Sequence, residues 1–482
     1  MGSALTLSLL LIRVLGPQSF GEYSFLVNAA ALSAVLLSLG FPDTLMRYVA
    51  LLFAEDKVPQ MRFLVRRLAL ARVVSYALGI ALLAALHGAG QALRLPLVEQ
   101  YWVAIAGLLA GQGAIEFTTS FAYARLQARS VAIARTVGQI VAVLFFAAMI
   151  FAGHTDVVTA SVTTVVSYLV ASLMLLLRGL GAVLTRGDEE RTPLRPIAGF
   201  AVGVWAAALC NIGLAGQIDV LLLAALRHDA VQIALYSVAT LVFLRLGTLL
   251  SGWAGTATSS FAEVHARRGG GASGRLLLVY LRLSILLALL VYPPVILLSD
   301  QITRRIFGAA YAPAAGSMEV FGAFWLVSSF LAAGIPLSFL VALGRQRQLL
   351  AIRATTGILN VVLDVILIPP FGALGAIMAT GTANVIAHVS DFVFAARPVR
   401  AAFPWAFAVR VVAASLVGVS PSFVLRSHDL AGELVGTALY VVLYIAALAI
   451  LRPLSAADVE LAARLGPRFQ RITQRLARRS AP

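Results

Sequence analysis

The dominant constraint on this chain is the recurrence of apolar runs long enough to cross a lipid bilayer. A spanning helix needs about 20 mostly apolar residues, because lipid offers the backbone no hydrogen-bond partners. Such runs recur about fourteen times. They lie near 3–15, 22–42, 64–86, 101–121, 131–152, 157–177, 198–225, 231–257, 276–298, 316–343, 348–368, 372–395, 405–425 and 433–451. The composition follows: 60% hydrophobic and 12% charged, against about 25% charged in soluble domains. Mean hydropathy is +0.93. A soluble interior cannot hold this much apolar sequence. The expected fold class is an all-α polytopic membrane protein with about 14 transmembrane helices.

The first run is short. It lacks the basic start and the small-residue cleavage site of a signal peptide. The expectation is a first helix missing its opening turns.

Net charge is +16, from 37 Lys+Arg against 21 Asp+Glu. The basic residues fall on alternate connections: around Lys57–Arg67, Arg125–Arg135, Arg178–Arg195, Arg267–Arg275, Arg345–Arg353, Arg397–Arg410 and the tail after 451. Arg94, Arg227, Arg304, Arg305 and Arg426 make up the opposite set. By the positive-inside rule both termini are expected in the cytoplasm, with an even number of spans. Arginine almost replaces lysine, as in GC-rich bacterial genomes, so the expected location is a bacterial inner membrane. Charge spread over every cytoplasmic rim suits anionic membrane lipid and gives no reason to expect a nucleic-acid partner. Cys210 is the one cysteine, so no intrachain disulfide forms.

A polar linker, 181–196, separates six spans from the rest. Phe20-Gly21-Glu22-Tyr23-Ser24 reappears in weakened form as Ile233-Ala234-Leu235-Tyr236-Ser237, at the start of a return span in both places. The expected organisation is a six-helix lobe over 1–180, the linker 181–196, a second six-helix lobe over 197–396, an accessory pair over 405–451 and a basic tail over 452–482. Parallel repeats of this kind place a substrate path between halves in many transporters. The tail carries Phe469, Ile472 and Leu476 on one helical face, which fits a basic helix lying on the inner leaflet or a disordered basic segment.

Several short motifs carry a resemblance. Arg13-Val14-Leu15-Gly16-Pro17 with Phe20-Gly21 and Tyr23, and Leu39-Gly40-Phe41-Pro42 with Arg47-Tyr48, resemble the opening of bacterial polysaccharide and oligosaccharide flippases. Gln217-Ile218-Asp219, Gly308-Ala309-Ala310-Tyr311-Ala312-Pro313, Gly344-Arg345-Gln346-Arg347, Leu359-Asn360 and Gly372-Ala373-Leu374-Gly375 follow in the family's order. The chain thus resembles the O-antigen-flippase-like branch of the multidrug/oligosaccharidyl-lipid/polysaccharide exporter superfamily over residues 3 to about 395. The resemblance implies two six-helix lobes around a central cavity. It also implies flipping of a polyprenyl-pyrophosphate-linked glycan, with a glycan polymerase and other envelope-assembly proteins as partners. The sequence departs from the family at its short first helix, at Arg227-His228-Asp229 and at Asp364.

Ionisable residues inside spans are costly unless they face a cavity or a partner. Arg245 is mid-span and is the first candidate for a pyrophosphate, since arginine offers a permanent, bidentate charge; a helix-locking ion pair is the alternative. Arg13 and Arg47 are candidates too, with interfacial anchoring as the alternative. Arg72 and Arg282 read as snorkelling side chains. Asp219, with Asn211 and Gln217, is a candidate for sugar or for a coupling cation, and Arg245 is its expected partner. Asp364 and Asn360 share a helical face and suit a proton, Na⁺ or sugar hydroxyls. Glu116, beside Gln112, is a third ion-coupling candidate.

The histidines show no metal spacing and no phosphate-binding glycine loop is present. No connection is long enough for an ATPase. The expectation is a transporter rather than an enzyme, with no cofactor beyond a coupling proton or Na⁺. An ion-coupled multidrug exporter and a lipid II flippase are the alternatives within the superfamily; a membrane glycosyltransferase or ligase is the alternative from another class.

Overall fold

The apolar runs are mostly helical where they are described, broken by short turns in three of them. The computed structural model describes residues 2–88, 96–185, 187–214, 216–250, 254–331, 334–424 and 430–453. The expected surface helix of the tail falls outside them. The helices are α1 Gly2–Leu37, α2 Phe41–Ala54, α3 Val58–Gly88, α4 Pro96–Ala124, α5 Ala128–Phe151, α6 Val157–Leu175, α7 Leu194–Ile212 and α8 Gly216–Arg227. They continue with α9 Ala230–Leu250, α10 Ala254–Leu297, α11 Ala314–Phe330, α12 Ile335–Ala342, α13 Gln346–Phe371, α14 Ala373–Ala396, α15 Trp405–Val424 and α16 Leu430–Leu451. There is no strand among the described residues, and 11 helical stretches are long and apolar enough to cross a membrane unaided. The protein is an all-helical, multi-pass membrane protein.

Glycine and proline set where these helices break. The runs 3–15 and 22–42 meet in α1 at Gly16, whose φ of 69° and ψ of 174° interrupt the helix just before Pro17. The run 198–225 is divided into α7 and α8, and 316–343 into α11 and α12. Gly40 takes φ +73° at the start of α2, and a Cβ there would lie 2.1 Å from the Ala201 carbonyl oxygen. Only glycine meets both demands. Pro42 follows in the first turn of α2, where its missing N–H costs nothing. Sequence reading located this break but missed that helix resumes as far as Ala54.

Two compact units divide the chain. The first is residues 1–237 with 364–373; the second is 238–363 with 374–482. In the first, α5 and α6 pack through small residues. Ala134, Gly138 and Ala142 repeat every four residues and are buried, and a Cβ on Gly138 would meet the Ser167 carbonyl at 2.5 Å. Lipid removes the hydrophobic drive between helices, so close backbone approach supplies the attraction instead. Around α2, α3 and α4, Leu45, Val49, Leu64, Val65 and Phe121 form a further core. In the second unit Phe261, Leu281, Phe339, Val411 and Tyr444 join α10, α12, α15 and α16. Exposed Val73, Leu78, Leu82, Leu144, Leu169 and Ile366 provide lipid-facing surface.

Candidate functional site

A fully buried acid pair in the first unit is built by α8, the beginning of α9 and residues 364–373, which run from the end of α13 to the first residue of α14. Asp219 lies in the first turn of α8 and Asp364 in α13, and both are 0% exposed. The two carboxyl groups hydrogen-bond to each other. A carboxyl group donates only when protonated, so two buried carboxyl groups in contact favour sharing a proton over both being charged. Tyr236 donates its hydroxyl to the second oxygen of Asp219. Gly216 precedes this turn, and a Cβ there would stand 3.2 Å from the Tyr236 hydroxyl. Nearby contacts fix the geometry: Arg227 donates to the Pro369 carbonyl at 2.6 Å, and Gln232 accepts from the Ala373 N–H at 2.9 Å. The ends of α8 and α9 thereby clasp the α13–α14 corner.

Asp219 is engaged by Tyr236 and Asp364, while Arg245 on α9 is exposed and forms no ion pair among the described residues. Asn360 is buried one turn before Asp364 on the same helix. Asn211 is exposed at the end of α7, and Gln217 is half-buried at the start of α8. Neither is brought to the acid pair by a described hydrogen bond.

The arginines divide by environment. Arg13 and Arg47 are exposed. Arg47 follows the Gly40 break, and its guanidinium lies 4.4 Å from the Phe200 ring centre. Arg72 does not snorkel. It is 5% exposed, ion-paired to Glu116 at 2.6 Å, and stacked over Tyr76 at 4.5 Å. Gln112 donates to the other Glu116 oxygen at 3.1 Å. Both oxygens of Glu116 are therefore occupied. In the second unit a similar pair joins Arg353 to Asp391 at 2.6 Å, and Asp391 is 1% exposed. Arg282 is half-buried and sits 5.8 Å from the Phe407 ring centre.

Sequence reasoning missed two features. The Asp219–Asp364 contact joins residues far apart in the chain, and no single-sequence signal reports it. Tyr236 did leave a signal, because it occupies the same place as Tyr23 in the internal repeat. Tyr23 shares a 2.7 Å hydrogen bond with the Thr164 hydroxyl. A cavity of about 420 Å³ in the first unit is lined by α1, α3, α4, α8 and α9. Leu32, Leu86, Leu97 and Leu221 give it an apolar wall, and Gln18 and His228 add polar points.

No protein-family model matches the chain, and no curated protein matches it either. Solved structures do. An inward-facing multidrug resistance MATE family transporter of the MOP superfamily aligns with TM-score 0.69 at 15% identity, covering 82% of this chain and 94% of that one. The lipid II flippase MurJ, in an inward closed conformation, aligns with TM-score 0.70 at 13% identity, covering 92% and 96%. A MOP superfamily transporter from Pyrococcus furiosus aligns with TM-score 0.57 at 15% identity, covering 82% and 91%. The chain therefore has the fold of the MOP-superfamily transporters and flippases, carried by a multi-pass helical membrane protein.

Proposed function

We propose that this protein flips a polyprenyl-pyrophosphate-linked oligosaccharide or polysaccharide precursor from the inner to the outer leaflet of a bacterial inner membrane, by alternating access. Both termini are cytoplasmic in this reading. The observation that carries it is the breadth of the fold likeness. A lipid flippase aligns over 92% of this chain, whereas the multidrug transporter aligns over 82%. The sequence motifs of glycan flippases point the same way. Arg13 and Arg47 in the first unit, and Arg245 in the second, are exposed arginines, the side chain best suited to a pyrophosphate, and the cavity of about 420 Å³ in the first unit suits part of a prenyl chain.

Transport is coupled to a proton or Na⁺ taken by Asp219 and Asp364, with Asn360 as an adjoining amide. A proton leaving the carboxyl–carboxyl hydrogen bond would leave two like charges in contact, which forces either separation or capture of a cation. Glu116, held by Arg72 and Gln112, is assigned to structure instead.

The test is surface glycan export in a strain that depends on this gene. Arg245→Ala is expected to stop export while the protein stays folded and inserted. Undiminished export in that variant would remove Arg245 from the site. An ion-coupled multidrug exporter is the second reading, favoured by the multidrug-transporter alignment at TM-score 0.69. Drug resistance conferred by expression, with normal surface glycan, would select it. A halt in peptidoglycan synthesis on depletion would select a lipid II flippase.

A further inference from the structure

One cavity of the first unit is lined by neither the acid pair nor Arg13 nor Arg47. It has a volume of about 250 Å³, is half open, and is lined by α4, α5 and α6. Its polar lining is Gln112, Glu116, Arg135, Gln139, Ser167 and Tyr168. Six polar side chains from three membrane helices are expensive to keep in an apolar phase unless something answers them. The volume greatly exceeds the roughly 30 Å³ share of one liquid water.

The chemistry of the lining is specific. Glu116 is neutralised by Arg72, whose Nε and Nη1 are buried without a hydrogen-bond partner among the described residues. Arg135 is exposed, lines the cavity and forms no ion pair among the described residues, so with Glu116 answered by Arg72 it is the cation this cavity presents. Tyr168 lies within electrostatic reach of both Glu116 and Arg135, which places the three groups around one space. Its ring also lies against Gly111, where an added Cβ would be 3.2 Å away, so the ring is held in position from α4. Two amides and a serine hydroxyl offer paired donors and acceptors, as vicinal hydroxyls require. Arg135 offers a fork suited to a carboxylate.

We infer that this cavity is a binding site for one carboxylated sugar ring, of the hexuronate class. The carboxylate bonds to Arg135, the ring hydroxyls bond to Gln112, Gln139 and Ser167, and Tyr168 supplies a wall. As a subsite for an acidic residue of the transported glycan it rests on the flippase reading above. As a binding site it does not, so the two fail separately.

The experiment uses the full chain in lipid nanodiscs and saturation-transfer NMR, with D-glucuronate and D-glucose as probes and inorganic phosphate as competitor. Glucuronate is expected to bind at least tenfold more tightly than glucose. Arg135→Gln is expected to weaken glucuronate at least tenfold while leaving glucose unchanged. Gln139→Leu, at a half-buried position, is expected to weaken both sugars and serves if Arg135→Gln does not fold. Equal binding of the two sugars would overturn the site, as would unchanged binding in both variants. Displacement of glucuronate by an equal concentration of phosphate would reduce it to a general anion site and overturn the sugar assignment. Glucuronate binding that follows Arg135 in a protein without effect on glycan export would sink the flippase reading and leave the site standing.

Discussion

The two Tyr-Ser segments, Tyr23-Ser24 and Tyr236-Ser237, stand in different chemistry. In the first, Tyr23 shares a hydrogen bond with the hydroxyl of Thr164, and neither group changes charge at ordinary pH. In the second, Tyr236 donates to Asp219, which is bonded in turn to Asp364. Tyr236 is buried and Tyr23 is half-buried. The same dipeptide thus meets a neutral hydroxyl in one place and an ionisable group in the other.

Asp219→Asn should sharpen this contrast most. It keeps the side-chain shape but removes one of the two carboxyl groups, and transport is expected to fall at least 100-fold with little change in melting temperature. Transport at wild-type level would show that the acid pair is structural. Tyr236→Phe comes next. It deprives a buried carboxyl of a donor, which costs about 1.5–3 kcal/mol, seen as a lower melting temperature in detergent together with reduced transport. Tyr23→Phe should cost less, about 1 kcal/mol for a hydroxyl pair, and leave transport intact. Equal transport losses in the two tyrosine variants would break the comparison.

The smallest expected effect concerns α6, which carries Thr164. Asp156 caps this helix by accepting the Thr159 N–H at 2.7 Å, and that bond holds its carboxyl below the usual range. A lowered carboxyl stabilises the fold above its unfolded pKa of about 3.9 and loses that contribution as pH falls through the folded value. Asp156→Ala should therefore cost about 0.5–1 kcal/mol near neutral pH. The difference from wild type should fade in acid below the folded pKa. A difference that persists unchanged to low pH would mean the cap is not the cause.

Much of the fold was legible because each apolar run is a local property of consecutive residues. Runs 64–86, 131–152 and 157–177 emerged as α3, α5 and α6 with little shift. The Gly40–Pro42 break was legible because both residues have strong backbone preferences. The split of 198–225 into α7 and α8 was not, since the run carries no proline to mark where the helix stops. Candidate residues fared similarly. Asp219, Asp364 and Glu116 stood out as charges within apolar sequence. Their partners did not, because Arg72 with Glu116 and Asp219 with Asp364 meet only when separate helices pack.

The sequence alone determined that this chain lives in a membrane, since about fourteen long apolar segments have no other stable environment. It also supplied the repeat and the set of costly ionisable residues. Tertiary structure decided which side chains meet: a guanidinium at Glu116, and Tyr236 and Asp364 at Asp219. Burial raises the cost of a charge, but its compensation depends on distances of a few ångströms between helices, and those are set by packing rather than by order along the chain.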